Sequence, residues 1–368
     1  MNRKMTIVAS LAAGALALFF LMRSSPAQKQ PEYGVQASSG VALRDVIDPL
    51  FDDPAMGETR ALLVMKDGDI LAERYAPGFG PDSTFISWSM AKSITAVLVG
   101  LMVSDGRLVL DAPAPVPAWS QPGDPRGEIT LRQLLHMASG LDHVETGDPA
   151  YDSDTVRMLF TSGAADMAAY AEAKPLAARS GSTFQYSTAT SIILSDIVTR
   201  ALTQSNDPQV RRDAMMQFMR GRLIEPLGLA SLTPEFDAHG TLIGGSFMHA
   251  TARDYAKFGE FLRHDGEAQG RQILSTRWVD FMRTSSPLDP GYGGHIWLNK
   301  PRPRGARAAL FPGRGPSSLF ACLGHQGQYI LISPAQGLTI VRLGITSEEE
   351  QPAVREALAR LVESFPIG

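Results

Sequence analysis

Apolar and polar positions fall into strand-like blocks at the two ends of the chain. Ala61-Leu62-Leu63-Val64-Met65 and Ile70-Leu71-Ala72 flank Lys66-Asp67-Gly68-Asp69, and an Asp-Gly between two apolar runs is a strong short-range hairpin signal. Near the other end, Tyr329 to Ile332 and Leu338 to Leu343 flank Ser333-Pro334-Ala335-Gln336-Gly337, which predicts a second hairpin. Val354, Leu358, Leu361 and Phe365 then recur at helical spacing and predict a closing helix. The middle, about 111–245, reads differently. Thr130-Leu131-Arg132-Gln133 has the capping-box form ahead of Leu134-Leu135, and Met158 to Tyr170 and Ile192 to Leu202 carry helical periodicity with little alternation. The pattern predicts an α+β domain over residues 41–368. Its sheet is built from both ends of the chain, with a mostly helical insert between them, and a cleft between the two parts is the natural place for a site.

The amino terminus follows another logic. Arg3 and Lys4 precede an uncharged, mostly apolar run from Met5 to Met22, followed by Arg23 and the polar stretch Ser24 to Gln30. This predicts an export segment over residues 1–23 and a polar linker over 24–40. Ser25-Pro26-Ala27 suits cleavage, yet the apolar run approaches the roughly 20 residues that span a bilayer as a helix. Cleaved signal and retained anchor both stay open. Either one predicts a domain outside the cytoplasm, in the periplasm or held at the inner membrane facing it; the membrane is a partner only if the segment is retained.

Composition narrows the chemistry. Thirty-four Lys+Arg against thirty-eight Asp+Glu gives a net charge of −4, without the basic surplus of a nucleic-acid binder. Cys322 is the single cysteine, so no intrachain disulfide forms, and its apolar neighbours predict a buried, inert thiol. The seven histidines include no His-x-x-x-His and no Cys/His cluster, so neither a metal nor another cofactor is expected. No Gly-x-Ser-x-Gly occurs, which removes the nucleophile elbow of the α/β-hydrolases. Oligomeric state leaves no signature.

Three short segments carry candidate chemistry. In Ser87-Trp88-Ser89-Met90-Ala91-Lys92-Ser93, Ser89 and Lys92 are three apart, so on a helix they share a face. A lysine desolvated among apolar neighbours can serve as the base that serine needs, and a serine in a first helical turn also offers its own N–H to an oxyanion. The same spacing also fits a solvated helix face. Tyr186, in Phe184-Gln185-Tyr186-Ser187-Thr188, is a candidate second proton carrier, with its phenolate favoured by a nearby Lys92 cation; a core aromatic is the plainer reading. Leu323-Gly324-His325-Gln326-Gly327-Gln328 lies directly ahead of a hairpin strand. An edge strand beside a cleft offers backbone N–H groups to a bound carbonyl, and Gly327 allows close approach.

Taken in order, Ser89-x-x-Lys92, Tyr186-Ser187-Thr188 and His325-Gln326-Gly327 resemble the three motifs of the serine β-lactamase and penicillin-binding-protein superfamily. Within it, the chain is most similar to the branch of 6-aminohexanoate-dimer hydrolases, class C-like β-lactamases and related esterases. Leu134 to Leu141, Gly244-Gly245-Ser246 to Asp254, and Gly324 to Gly344 support the resemblance, which covers about residues 40–365. It implies a central antiparallel sheet flanked by helices. It also implies acylation of Ser89, Lys92 as base, Tyr186 as proton relay, and an oxyanion hole from the backbone N–H groups of Ser89 and Gln328. Thr188, His325, Gln326 and Gly327 would contact a small-molecule amide or ester.

Two departures bear on substrate. His325 stands where β-lactamases have lysine, which removes a fixed positive charge, and Thr188 stands where they have asparagine. Hydrolysis of an amide or ester is therefore the leading expectation. Action on β-lactams or peptidoglycan peptides, and a catalytically silent binding relative, are the alternatives. Lys300, Arg302, Arg304, Arg307 and Arg314 form a basic stretch, read either as a solvated loop or as an attractor of acidic groups at the cleft.

Overall fold

The computed structural model describes residues 42–367; the expected export segment (1–23) and linker (24–40) lie outside them. The strands are β1 (Glu58–Lys66), β2 (Asp69–Tyr75), β3 (Thr84–Ile86), β4 (Thr233–Pro234), β5 (Met248–Thr251), β6 (Glu267–Ala268), β7 (Arg271–Gln272), β8 (Trp297–Leu298), β9 (Phe320–Gly324), β10 (Gln328–Ser333) and β11 (Leu338–Ile345). The helices are α1 (Leu43–Asp52), α2 (Ala91–Ser104), α3 (Leu131–Leu135), α4 (Asp154–Phe160), α5 (Met167–Glu172), α6 (Thr188–Leu202), α7 (Pro208–Met219), α8 (Glu225–Leu227), α9 (Ala252–Arg263), α10 (Thr276–Arg283) and α11 (Gln351–Glu363).

The main sheet runs β2-β1-β11-β10-β9-β8, with antiparallel neighbours throughout, and β3-β5-β4 form a smaller sheet. Both predicted hairpins are present. Asp67 and Gly68 take positive φ at the first turn, as a tight hairpin requires, and Leu63 pairs with Val341, so the two ends of the chain meet in mid-sheet. Period-two alternation sorts the strands between two cores. Leu62, Val64, Leu331 and Ile340 pack with residues of α1 and α11, whereas Leu63, Ile330, Ile332 and Val341 face α9 and the helical region.

The capping box forms at Thr130 and Gln133 and starts α3. The periodic stretch Met158 to Tyr170 is two helices instead of one, because α4 stops at Phe160 and Asp166 caps a fresh start at Met167. Among the described residues no helix is long and apolar enough to cross a membrane.

Candidate active site

Ser89 lies in a single 3-10 turn, Trp88–Met90, that runs straight into α2, and Lys92 falls in the first turn of that helix. The turn is held from both sides. Ser87 N–H donates to the Met248 carbonyl at 2.7 Å and Ser87 Oγ to the Ser246 carbonyl at 3.1 Å. Trp88 has φ of +44°, a conformation bulky residues rarely take, and its ring is fixed edge-on against Phe247 at 5.8 Å and His325 at 5.4 Å. Strain held by packing sets Ser89, a partly exposed residue, beside a buried lysine.

Lys92 Nζ is surrounded by three oxygens: Ser89 Oγ at 3.2 Å, Thr188 Oγ1 at 2.9 Å and the Gly245 carbonyl at 2.7 Å. Its burial pushes the ammonium pKa down to about 8, and the nearby Glu145 carboxylate opposes that fall. Its nitrogen lies 5.1 Å from the centre of the Tyr186 ring. Tyr186 itself is held well above the ordinary phenol range by burial and then by the Glu145 charge, with the Ser89 hydroxyl working the other way. The phenol therefore stays protonated, which corrects the expectation of a phenolate.

Ser187 caps α6 by accepting from Thr190 N–H at 3.2 Å, so the Tyr-Ser-Thr segment is fixed by the start of a buried helix. Ser187 Oγ also meets His143 Nδ1 at 2.8 Å. Thr188 N–H and Oγ1–H both donate to Glu145, each at 2.6 Å. Thr188 is buried, with its hydroxyl shared between Glu145 and Lys92. It holds the lysine, a correction to its expected place against substrate. Glu145 escaped the sequence reading: it lies four residues past the segment ending at Leu141, and no spacing ties a lone carboxylate to a residue 53 positions before it.

The strand side of the site needs two further corrections. Gln328 opens β10, an interior strand, and its main chain faces neighbouring strands. Its side chain staples the hairpin, donating to the Gly344 carbonyl at 2.7 Å and the His325 carbonyl at 3.0 Å and accepting from Gly344 N–H at 3.0 Å. The open edge belongs to β9. Asn299 N–H donates to the Leu319 carbonyl across that edge, and with period two Ala321 and Leu323 turn their main-chain groups the same way. β8 covers the edge only opposite Phe320 and Ala321, which leaves the later part of β9, toward the turn at His325, without a strand on that side, whereas Gln328 lies inside the sheet.

Gly327 is buried at φ of +79°, where an added Cβ would sit 2.7 Å from the Arg342 guanidinium; it shapes the turn and does not border the cleft. The glycine that permits close approach is Gly324, whose Cβ would stand 2.4 Å from the Ser87 carbonyl oxygen. Arg342, wholly buried, donates to the Gly327 carbonyl at 2.8 Å and anchors the turn. Gln326 and His325 line a cavity of about 590 Å³ with Glu58, Thr346 and Glu350, which does not include Ser89, Lys92 or Tyr186. The structure thus brings Ser89, Lys92, Tyr186 and Thr188 together, with the His325 ring beside them through Trp88, and sets Gln326, Gly327 and Gln328 apart.

Aromatic rings flank the serine on two sides. One row runs from Trp88 through Phe247 to the exposed Phe160, and the other joins Tyr186, Trp297 and Tyr292. The basic stretch is largely neutralised: Arg302 pairs with buried Asp289 at 2.7 Å, Arg307 with Glu348 at 3.0 Å and Arg314 with Glu363 at 2.6 Å. Cys322 is buried with its thiol pushed up to about 12, as its apolar neighbours predicted.

Comparison with known proteins bears on this geometry. The family model described as Beta-lactamase matches residues 53–363. A 6-aminohexanoate-dimer hydrolase of Paenarthrobacter ureafaciens is 28% identical over 230 residues, which is 60% of this chain and 56% of that protein's length. Among solved structures, a putative 6-aminohexanoate-dimer hydrolase from Bacillus anthracis is similar with a TM-score of 0.66 at 21% identity, covering 87% of this chain and 83% of its own. A family VIII carboxylesterase is similar with a TM-score of 0.61 at 15% identity, covering 89% and 99%. Likeness at such low identity speaks for the fold alone.

Proposed function

The chain belongs to the beta-lactamase family, and on that premise we propose that it is a serine hydrolase cleaving an amide or ester through an acyl-enzyme on Ser89. The observation that carries this reading is the hydroxyl of a partly exposed serine 3.2 Å from a lysine that burial brings to a pKa of about 8. Roughly a tenth of such a lysine is uncharged at pH 7, enough to act as a base. Ser89 Oγ attacks the carbonyl carbon while its proton passes to the Lys92 amine. The oxyanion is met by the backbone N–H groups of Ser89 and His325. As the intermediate collapses, the bond to the leaving group breaks and that group takes the Tyr186 phenolic proton, which the Lys92 ammonium restores. Water then follows the same route to release the acid.

Substrate class is read from the walls. Burial lowers the His325 pKa, so the ring is neutral near pH 7, and the arginines of 302–314 that form ion pairs are spoken for. A β-lactam carboxylate finds no fixed cation in His325, whereas the aromatic rows suit apolar acyl and leaving groups. The printed names of the relatives, an amide hydrolase and a carboxylesterase, support the same class. A domain outside the cytoplasm, following from the charged and apolar pattern of residues 1–23, is part of this proposal.

A fluorophosphonate is expected to add its phosphonyl mass to the intact protein and not to Ser89→Ala. An unmodified wild type would favour a silent binding relative. Turnover of short-chain p-nitrophenyl esters beside weak or absent cleavage of a chromogenic cephalosporin is expected; efficient cephalosporin hydrolysis would return the site to the β-lactamases.

A further inference from the structure

A proton inventory around Lys92 leads one step further and rests on the acyl-enzyme reading above. We infer that Glu145 is a positioning residue which, through Thr188, directs the lone pair of the neutral Lys92 amine at Ser89 and nowhere else.

The ammonium has three N–H groups and three oxygen partners: Ser89 Oγ, Thr188 Oγ1 and the Gly245 carbonyl. Once one proton is lost, two N–H groups and a lone pair remain, and their order is settled by which partners hold a hydrogen of their own. The Gly245 carbonyl holds none, so it must receive an N–H. A free threonine hydroxyl could either donate or accept. Here its single proton is committed to Glu145 Oε1 at 2.6 Å, leaving Thr188 Oγ1 only as an acceptor for Lys92. Two N–H groups are thereby claimed, and the lone pair falls toward Ser89, the one remaining partner with a proton to give.

Glu145 is itself fixed for this task. Its Oε2 accepts Thr188 N–H at 2.6 Å and Thr155 Oγ1–H at 2.9 Å, so the carboxylate is held at the start of α6 and at α4 together. The other groups around Lys92 do not compete for the proton. The Tyr186 phenol is protonated, with its hydroxyl engaged by Ser89 and its ring centre 5.1 Å from the amine, and His295 is buried with its pKa pushed down to about 3 and is therefore neutral. His295 Nδ1 meets the Leu135 carbonyl at 2.9 Å and its Nε2 meets Ser191 Oγ at 2.9 Å.

Glu145→Gln separates this role from simple support of the fold. An amide that donates to Thr188 Oγ1 frees the threonine proton to occupy the Lys92 lone pair, and the variant also removes a negative charge near the ammonium. The probe is the second-order rate of fluorophosphonate labelling of Ser89 between pH 5 and 10. In wild type the rate is expected to rise through a limb near pH 8. Glu145→Gln should label about 100-fold more slowly at its plateau, with the limb moved to lower pH. Thr188→Val should lose a similar factor, Thr188→Ser should stay within a few-fold of wild type, and the double variant Glu145→Gln/Thr188→Val should be no worse than either alone. Wild-type rates and an unmoved limb in Glu145→Gln would overturn the inference while leaving the acyl-enzyme reading intact, as would additive losses in the double variant. A wild type that never labels would overturn both. Should Glu145→Gln fail to fold, the contrast between Thr188→Ser and Thr188→Val decides alone: equal rates in the two sink the inference.

Discussion

The two walls of the cleft are built on different principles. The helical wall, made by the start of α2, the Tyr186-Ser187-Thr188 segment and Glu145, works through side chains in which donors and acceptors are matched one to one. In the proposed mechanism the strand wall, from Leu323 to Gln328, works through main-chain groups at an open edge, and the side chains there serve other ends. The Gln328 side chain staples a hairpin, and the His325 ring packs on Trp88. In that mechanism residue identity carries the chemistry on the first wall, and position carries it on the second. Mutations should therefore act in opposite ways across the cleft.

The largest effect belongs to the helical wall. Lys92→Met, a change of side-chain identity with similar length, should lower kcat/KM on a p-nitrophenyl ester by about 10⁴-fold by removing the base. The wild-type limb near pH 8 should vanish with it, because activity requires neutral Lys92 and is lost as pH falls through its folded pKa. The same variant tests linkage. In wild type the folded lysine titrates below its ordinary value of 10.5, so between about pH 8 and 10.5 the unfolded chain binds more protons and stability rises with pH. Urea unfolding across that range should show the rise in wild type and none in Lys92→Met; an identical rise in both would mean that Lys92 is not desolvated.

The next effect belongs to the strand wall and should ignore side-chain identity. His325→Ala keeps the backbone N–H and should retain kcat within several-fold. His325→Pro removes it and should cost about 100- to 1000-fold, the usual loss of one oxyanion donor. Comparable kcat values for the two variants, both folded by circular dichroism, would break the distinction between the walls.

The same contrast explains what could be read before any coordinates. The hairpin at Asp67-Gly68, the capping box at Thr130 and Gln133 and the closing helix are local signals, and each is present. The nearness of Ser89 and Lys92 was legible from their spacing of three, whereas Tyr186, 94 positions beyond Lys92, entered only through the resemblance of the ordered motifs. Glu145 was not legible, since its partners Thr188 and Lys92 lie 43 and 53 positions away and only the fold brings them together. Gln328 was misplaced for a related reason. Which N–H faces a cleft depends on which strand is the edge, and the order β11-β10-β9-β8 is a tertiary fact. The division of Met158 to Tyr170 into two helices turned on Asp166, a cap inside an otherwise helical period.

The smallest catalytic effect is expected at Gln328, which the resemblance placed in the oxyanion hole. Gln328→Ala leaves every main-chain group of the turn in place and deletes a side chain that joins Gly344 N–H and the Gly344 and His325 carbonyls. The Gly344 groups lie at the buried join between β10 and β11, so leaving them unpartnered should cost roughly 1–3 kcal/mol of stability. Yet kcat below the melting transition should change less than threefold, because Arg342 still holds the turn through the Gly327 carbonyl. The pair of measurements is decisive in either direction. A lower midpoint in urea with kcat preserved assigns Gln328 to the frame of the strand wall. A stable variant with kcat down a hundredfold would instead place the Gln328 side-chain amide at the reacting centre.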